Sequence, residues 1–343
     1  MNLKQLSKEL GLSISSVSKA LSNSPEISEA TKKKVLSKAK EFNYQANPFA
    51  SNLRNKKSKT IAVIIPEIAN NFFSLAINGV ESYAQRKNYH VLIYQTHEDL
   101  QKEVSVAKHL MNGRVDGVII SISRQTSNTE HLEALEHKGI PVVYFDRVNE
   151  NNHSPKVITN DYESAFLGTE HLLQKGCTKI AFLSFSKLLF ISTNRLKGYS
   201  DALKKAGIKK DTSLIVQCDN DKIANKKLIH KLLTSAGKPD AVFACVEELA
   251  ISTYEICEEI DIKIPKNIKV MSFSNLQTAS ILRPSLTSIT QPAYEMGREA
   301  AEMLFNLIDK NVHNNLQAEM LLPSTLIIRN STKGNSSGFA GSL

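Results

Sequence analysis

No run of apolar residues approaches the ~18 that a membrane-spanning helix needs. The longest strand-like runs, such as Ile61 to Ile65, are about five residues. The basic-then-apolar order of a signal peptide is missing as well, because Lys4, Lys8 and Glu9 are interleaved with the first leucines. Both absences predict a cytoplasmic protein with no membrane partner. Cysteine is scarce: Cys177, Cys218, Cys245 and Cys257 form no CxxC, and each sits in an apolar stretch. That predicts reduced, buried thiols rather than disulfides or a zinc site. There is no GxGxxG after a strand, no GxxxxGK[ST] loop and no GxSxG elbow. The nine histidines are scattered, without spacing such as HExxH. Acidic pairs such as Glu258-Glu259 read as solvated faces. The expectation is a non-enzyme with no catalytic residues, no metal and no cofactor.

What is present is a globular composition of 41% hydrophobic and 22% charged residues over 343 positions, more than one ordinary domain holds. The charge is lopsided. Residues 1–60 hold 12 Lys/Arg against 4 Asp/Glu, whereas the other 283 hold 31 against 30. A basic module on a neutral body predicts a polyanionic partner.

The basic module reads as three short helices. Leu3, Leu6 and Leu10 recur at helical spacing, and Gly11 supplies a turn. Ser13 is suited to cap a second helix from Ile14 to about Ser22, with Val17, Ala20 and Leu21 inward. After Ser24-Pro25, Ser28 caps a third, with Ala30, Val35, Ala39 and Phe42 inward and the lysines at 32, 33, 34, 38 and 40 mostly outward. Helix, glycine turn, short helix is the layout of a helix-turn-helix, whose second helix enters the major groove. That helix presents Ile14 for a thymine methyl, the hydroxyls of Ser15 and Ser16, and Lys19 for a guanine edge or a phosphate. Asn47-Pro48 then opens one or two helical turns, marginal alone in water, before a lysine-rich linker.

These residues resemble the LacI/GalR (lactose-repressor) family of bacterial transcriptional regulators. The resemblance lies in Gly11-Leu12-Ser13, Val17-Ser18-Lys19-Ala20-Leu21, Ile27-Ser28-Glu29-Ala30-Thr31, Asn43-Tyr44 and Asn47-Pro48 to Leu53. It implies that Ile14, Ser15 and Lys19 read bases of double-stranded operator DNA and that Thr31 contacts phosphate. It also implies that the hinge segment of Asn47, Ala50, Leu53 and Arg54 meets the minor groove, where Leu53 wedges in and kinks the duplex. Lys19 stands where the family usually has arginine.

From Thr60 onward, short apolar runs alternate with amphipathic stretches. Strands are predicted over 60–65, 91–94, 117–121, 142–145, 179–184, 214–217, 241–245 and 268–272. Helices are predicted over 71–87, 102–112, 164–175, 196–206, 223–235 and 248–259. Two doubly wound parallel-sheet sets follow, about 60–160 and 161–290, with a cleft between their strand ends. The resemblance continues to about residue 332, through Ile61 to Pro66, Asn71-Phe72-Phe73, Arg114 to Ile119, Gly139 to Val143, Arg195 to Tyr199, and Pro284 to Ile289 with Gln291-Pro292. It implies a small all-α head on an α/β body like a periplasmic sugar-binding protein. The domains would be 1–46 (helix-turn-helix), 47–59 (hinge and linker), 60–160 plus 291–321 (first lobe), 161–290 plus 322–332 (second lobe) and a disordered tail, 333–343.

The resemblance further implies a homodimer whose operator affinity is set by a small, sugar-like effector between the lobes. Carried over residue by residue, the effector site is Phe72, Phe73, Ser123, Asp146, Asp161, Arg195, Asn220, Glu247, Ser274 and Gln291. Three positions depart from the family pattern: Asn71 replaces a proline, Val246-Glu247 an asparagine–aspartate pair, and Ser274 an aspartate. Asn275 or Glu247 is left to replace that lost acceptor. A sugar kinase with a DNA-binding head would need phosphate-cradling loops, and a transport protein would need an export signal; neither is found.

Overall fold

The computed structural model describes residues 2–43, 57–149, 154–186, 188–309 and 319–334. The chain divides into two units, 1–58 and 59–343. The first holds α1 (Leu3–Leu10), α2 (Ile14–Leu21) and α3 (Glu29–Glu41). Each helix opens on a side chain that accepts from an otherwise unpaired N–H: Asn2 for α1, Ser13 for α2 and Ser28 for α3. Gly11 ends α1 with a φ of 65°, a conformation glycine adopts without strain. Leu6, Leu10, Val17, Ala20, Val35 and Ala39 form the core, with Leu3, Leu12, Leu21, Ile27 and Phe42 packed around it.

Helix α3 corrects the sequence reading at two positions. Ala30 is exposed, whereas Lys32 is buried with its ammonium 2.7 Å from Glu29 Oε1. At 100° per residue, position 30 lies about 140° from Val35 and position 32 about 60°. A lysine stem can cover apolar surface while its charged end stays paired. The hinge residues Asn47, Ala50, Leu53 and Arg54, and the tail from residue 335, lie outside the described residues.

The second unit contains two six-stranded sheets of the same order. The first comprises β1 (Thr60–Ile65), β2 (His90–Gln95), β3 (Gly117–Ile120), β4 (Val142–Phe145), β5 (Lys156–Thr159) and β11 (Glu319–Leu322). Its spatial order is β11-β5-β4-β3-β1-β2, and every pairing is parallel. The second comprises β6 (Ile180–Ser184), β7 (Ile215–Gln217), β8 (Ala241–Ala244), β9 (Lys269–Phe273), β10 (Thr287–Thr290) and β12 (Thr325–Ile327). It is ordered β12-β10-β9-β8-β6-β7, and only β12 is antiparallel.

All six residues of β1 are buried because both faces of the sheet are covered. Ile61, Val63 and Ile65 join one apolar cluster with α4 (Asn71–Arg86) and α11 (Ala293–Asp309). Ala62 and Ile64 join the other, with α5 (Leu100–Leu110) and α6 (Glu130–His137). The second sheet carries α7 (Asp161–Gln174), α8 (Phe190–Lys205), α9 (Lys222–Thr234) and α10 (Glu247–Glu259). The chain passes from the first sheet to the second after β5, returns after β10 into α11 and β11, and ends on β12 beside β10. Helices α4 and α11 touch backbone to backbone. A Cβ at Gly297 would stand 1.9 Å from Ala76 O, and one at Gly79 2.0 Å from Tyr294 O.

Five elements carry no strand or helix in the sequence reading: β5, β10, α11, β11 and β12. Helix α8 also begins at Phe190, six residues before the expected start.

Candidate functional site

In the first unit, α2 leaves its N-terminal surface open. Ile14 is 46% exposed, Ser15 is exposed, and Ser16 and Lys19 are half-buried. The Ser16 backbone N–H donates to Ser13 Oγ at 3.0 Å, which fixes where that surface begins. Lys19 forms an ion pair with Glu26 of the following turn. Thr31 Oγ1 lies 2.9 Å from Ser28 Oγ.

In the second unit, the strand ends of both sheets face a cleft with two adjoining chambers. The inner one is about 380 Å³, counting the part open to solvent, and the outer about 1250 Å³ on the same basis. They share Asn70, Phe73, Arg147, Val246 and Glu247 as a common wall. Phe72 and Phe73 enter from the start of α4, and both pack on Phe145. Asp146 follows β4 with a φ of 59° and accepts from Gln291 Nε2 at 3.2 Å. Gln291 comes from the chain segment that leaves β10. Burial pushes the Asp146 carboxyl up to about 6 despite Arg147 and Arg195 nearby.

Arg195, on α8, is buried in the inner wall. Its Nε donates to Asp161 Oδ1 at 2.6 Å and its Nη1 to the Cys245 carbonyl at 2.6 Å. Its guanidinium carbon lies 3.8 Å from the Phe273 ring centre. The Nη2 group is buried with no hydrogen-bond partner. Asp161 therefore stands behind the wall, orienting Arg195; burial raises its pKa while Arg195 opposes the shift.

Arg147 repeats this arrangement from the first lobe. Its Nη1 lies 2.6 and 2.8 Å from the two carboxylate oxygens of buried Glu98. Its Nε has no hydrogen-bond partner; Asp146 Oδ2, at 3.9 Å, is too far. Arg147 and Arg124 of the first lobe lie 5.5 and 5.4 Å from the ring centre of Phe185, which belongs to the second. A second tie crosses the cleft where Asn71 Nδ2 donates to Glu247 Oε1 at 3.0 Å. Glu247 Oε2 accepts from Ser274 Oγ at 3.0 Å and the Asn275 N–H at 3.1 Å. Glu247 thus brings a carboxylate to the wall beside Ser274, with both of its oxygens engaged by protein donors.

Of the ten cleft residues expected from the sequence, the structure brings Phe72, Phe73, Asp146, Arg195, Glu247, Ser274 and Gln291 to the inner chamber. Asn220 lines only the outer one and is exposed. Ser123 is not on either wall. It is buried, with its Oγ 2.7 Å from Glu103 Oε2 and 2.8 Å from Thr96 Oγ1. Glu103 also meets Thr126 and His131, so Ser123 belongs to a network that anchors the loop after β3.

A family model for periplasmic binding proteins and the sugar binding domain of the LacI family matches residues 58–329. A second, for bacterial regulatory proteins of the lacI family, matches residues 2–47. The chain belongs to the LacI family. Among similar proteins, the transcriptional repressor PurR of Vibrio atlanticus is 31% identical over 323 residues, 93% of this chain and 95% of that one. Catabolite control protein A of Priestia megaterium is 29% identical over 335 residues, 97% and 99% of the two chains. The structure of a LacI family transcriptional regulator from Enterococcus faecium with bound ribose is 26% identical, covers 79% of this chain and 98% of that one, and has a TM-score of 0.69.

As a LacI-family member the protein is a DNA-binding transcriptional regulator and not an enzyme. Among the described residues no group of three or more His, Cys, Asp or Glu could hold a metal, and no helix is long and apolar enough to cross a membrane. The four cysteines are free and buried. Burial raises Cys177 and Cys245 to about 11 and Cys218 and Cys257 to about 12, leaving them unreactive as thiols.

Sequence reasoning missed Arg147 and its partner Glu98. A signal for Arg147 was available in the Asp146-Arg147 pair, two charges directly after a fully apolar strand. None existed for Glu98, which lies 49 positions away and reaches Arg147 only through the fold.

Proposed function

We propose that the protein is a homodimeric, cytoplasmic repressor whose grip on a pseudo-palindromic operator is set by a sugar held in the cleft. Ile14, Ser15, Ser16 and Lys19 face base edges, and Thr31 a phosphate. Pairing of two copies is supported by Leu92 and Ile93 on the edge strand β2, 40% and 43% exposed, with Ile68 at 46%; an open apolar edge favours cover by a partner. The observation that carries the effector half is the buried Arg195 Nη2 without a partner. An N–H in that position is costly until an acceptor arrives, and a sugar hydroxyl on an aromatic-walled cleft supplies one.

Fluorescence anisotropy with duplex DNA tests the operator half. Binding should fall steeply with salt. Lys19→Ala should weaken binding to every sequence by about tenfold if the lysine meets phosphate, and selectively at one base pair if it meets a guanine. Unchanged affinity in both settings would remove Lys19 from the interface.

The effector half predicts a pH dependence. The Asp146 carboxyl titrates above its ordinary 3.8. Its preference for the protonated form therefore favours the fold at low pH, and that contribution is lost as pH rises through about 6. A hydroxyl that donates to ionised Asp146 binds best above that pH. Calorimetric affinity should drop as pH falls from 7 towards 5, and Asp146→Asn should flatten the profile. An unaltered profile in the variant removes Asp146 as the acceptor.

A further inference from the structure

The charge of the cleft wall narrows the chemistry of the proposed sugar, an argument that rests on the sugar-effector reading above. The inner chamber is lined by two guanidiniums, Arg147 and Arg195, and two carboxylates, Asp146 and Glu247. Each guanidinium already has a carboxylate of its own that does not line this chamber. Glu98 meets Arg147 at 2.6 and 2.8 Å, and Asp161 meets Arg195 at 2.6 Å. All four of these side chains are more than nine-tenths buried, so the pairs are not relaxed by solvent.

The wall carboxylates accept hydrogen bonds from neutral groups. Asp146 takes the Gln291 amide; Glu247 takes the Asn71 amide, the Ser274 hydroxyl and the Asn275 backbone N–H. Among the described residues, two cations thus stand against four anions, and no described lysine lines either chamber. The outer chamber has the same sign, with Glu67, Glu98, Glu247 and Glu248 against Arg147 and His97.

Two unpartnered N–H groups, Arg147 Nε and Arg195 Nη2, nevertheless belong to residues of the inner wall. They call for acceptors, but the charge that would reward an anionic acceptor is already neutralised. A phosphate or carboxylate entering there would be a buried anion beside carboxylates that already outnumber the cations, and such burial is costly. We infer that the effector carries no negative charge: the cleft takes an unphosphorylated sugar without a carboxylate, whose hydroxyl oxygens accept from Arg147 and Arg195 and whose hydroxyl protons go to Asp146. Glu98 and Asp161 are positioning residues that set this charge selectivity.

Thermal-shift and calorimetric titration of the full chain near neutral pH test it. The probes are ribose, glucose, mannose and glucosamine beside ribose 5-phosphate, glucose 6-phosphate and glucuronate. Stabilisation should be confined to the first four, with the anionic form of any binder about a hundredfold weaker. An anionic form that binds as tightly as its parent overturns the inference while leaving the sugar reading intact. Silence from every probe overturns the sugar reading, and the inference with it. Glu98→Gln removes the charge partner of Arg147 and should recover about tenfold of the lost affinity for the phosphorylated form. Continued rejection of that form by a folded Glu98→Gln variant removes Glu98 from the selectivity.

Discussion

Arg195→Ala is expected to lower stability by about 3–5 kcal/mol and to erase the response of operator binding to effector. The stability loss arises because Asp161, buried on the far side of the guanidinium, is left as an uncompensated charge. The Cys245 carbonyl loses its donor and the Phe273 face loses its cover in the same step. For a unit of this size the melting temperature should fall by roughly 5–8 °C. The double variant Arg195→Met with Asp161→Asn separates the two effects. Removing both charges restores most of the stability, since an apolar replacement of a buried pair is often neutral. It does not restore the effector response, because no N–H then faces the chamber. Melting curves and effector-dependent anisotropy read the two outcomes independently. A double variant that is stable and still responsive would remove Arg195 from the effector site.

Gly297→Ala is expected to cost about 3 kcal/mol although alanine is the better helix former. The added Cβ would meet three backbone atoms of Ala76, at 1.9, 2.7 and 3.0 Å. No rotamer change relieves a clash with backbone, so α4 and α11 must separate. That gap removes contacts along a buried seam in which Met296, Ala300 and Leu304 of α11 are wholly covered. Urea titration should show a lower midpoint with an unchanged slope. Gly237→Ala is the control: a Cβ there meets nothing within 4 Å, and stability should change by less than about 0.5 kcal/mol. Equal midpoints for the two variants would contradict the close approach of the helices.

Much of the body was legible because its central strands are covered on both sides. Ile61 to Ile65 and Val142 to Phe145 read as unbroken apolar runs, and burial on both faces is what such runs require. Of the edge strands, β2 and β7 were read from the sequence, whereas β11 and β12 were not legible. Glu319–Leu322 alternates between exposed and half-buried positions, and it becomes a strand by pairing with Lys156–Thr159, far away in sequence. Helix α8 gave no sign of its start, because Leu189 precedes it without a side-chain cap.

The cleft divides along similar lines. Arg195, Asp146 and Gln291 were found by resemblance, and geometry then added what resemblance could not. It moved Ser123 into a buried network and put Asp161 behind Arg195. It also put the Glu247 carboxylate on the inner wall, where Asn275 donates to it and to the Gln291 carbonyl. In the first unit, counting lysines as solvent-facing failed at Lys32, where the stem and the charge have different environments.

The contacts that span the cleft, Asn71 to Glu247 and the two arginines to Phe185, have a bearing on sensitivity. A ligand moves a two-state equilibrium only by the difference in its affinity for the two states. Side chains that already draw the lobes together lessen the work left to the bound molecule. The strength of those native ties therefore helps to fix the threshold concentration at which the gene switch trips, and residues 71, 185 and 247 are where evolution or an engineer can retune that threshold without touching the operator.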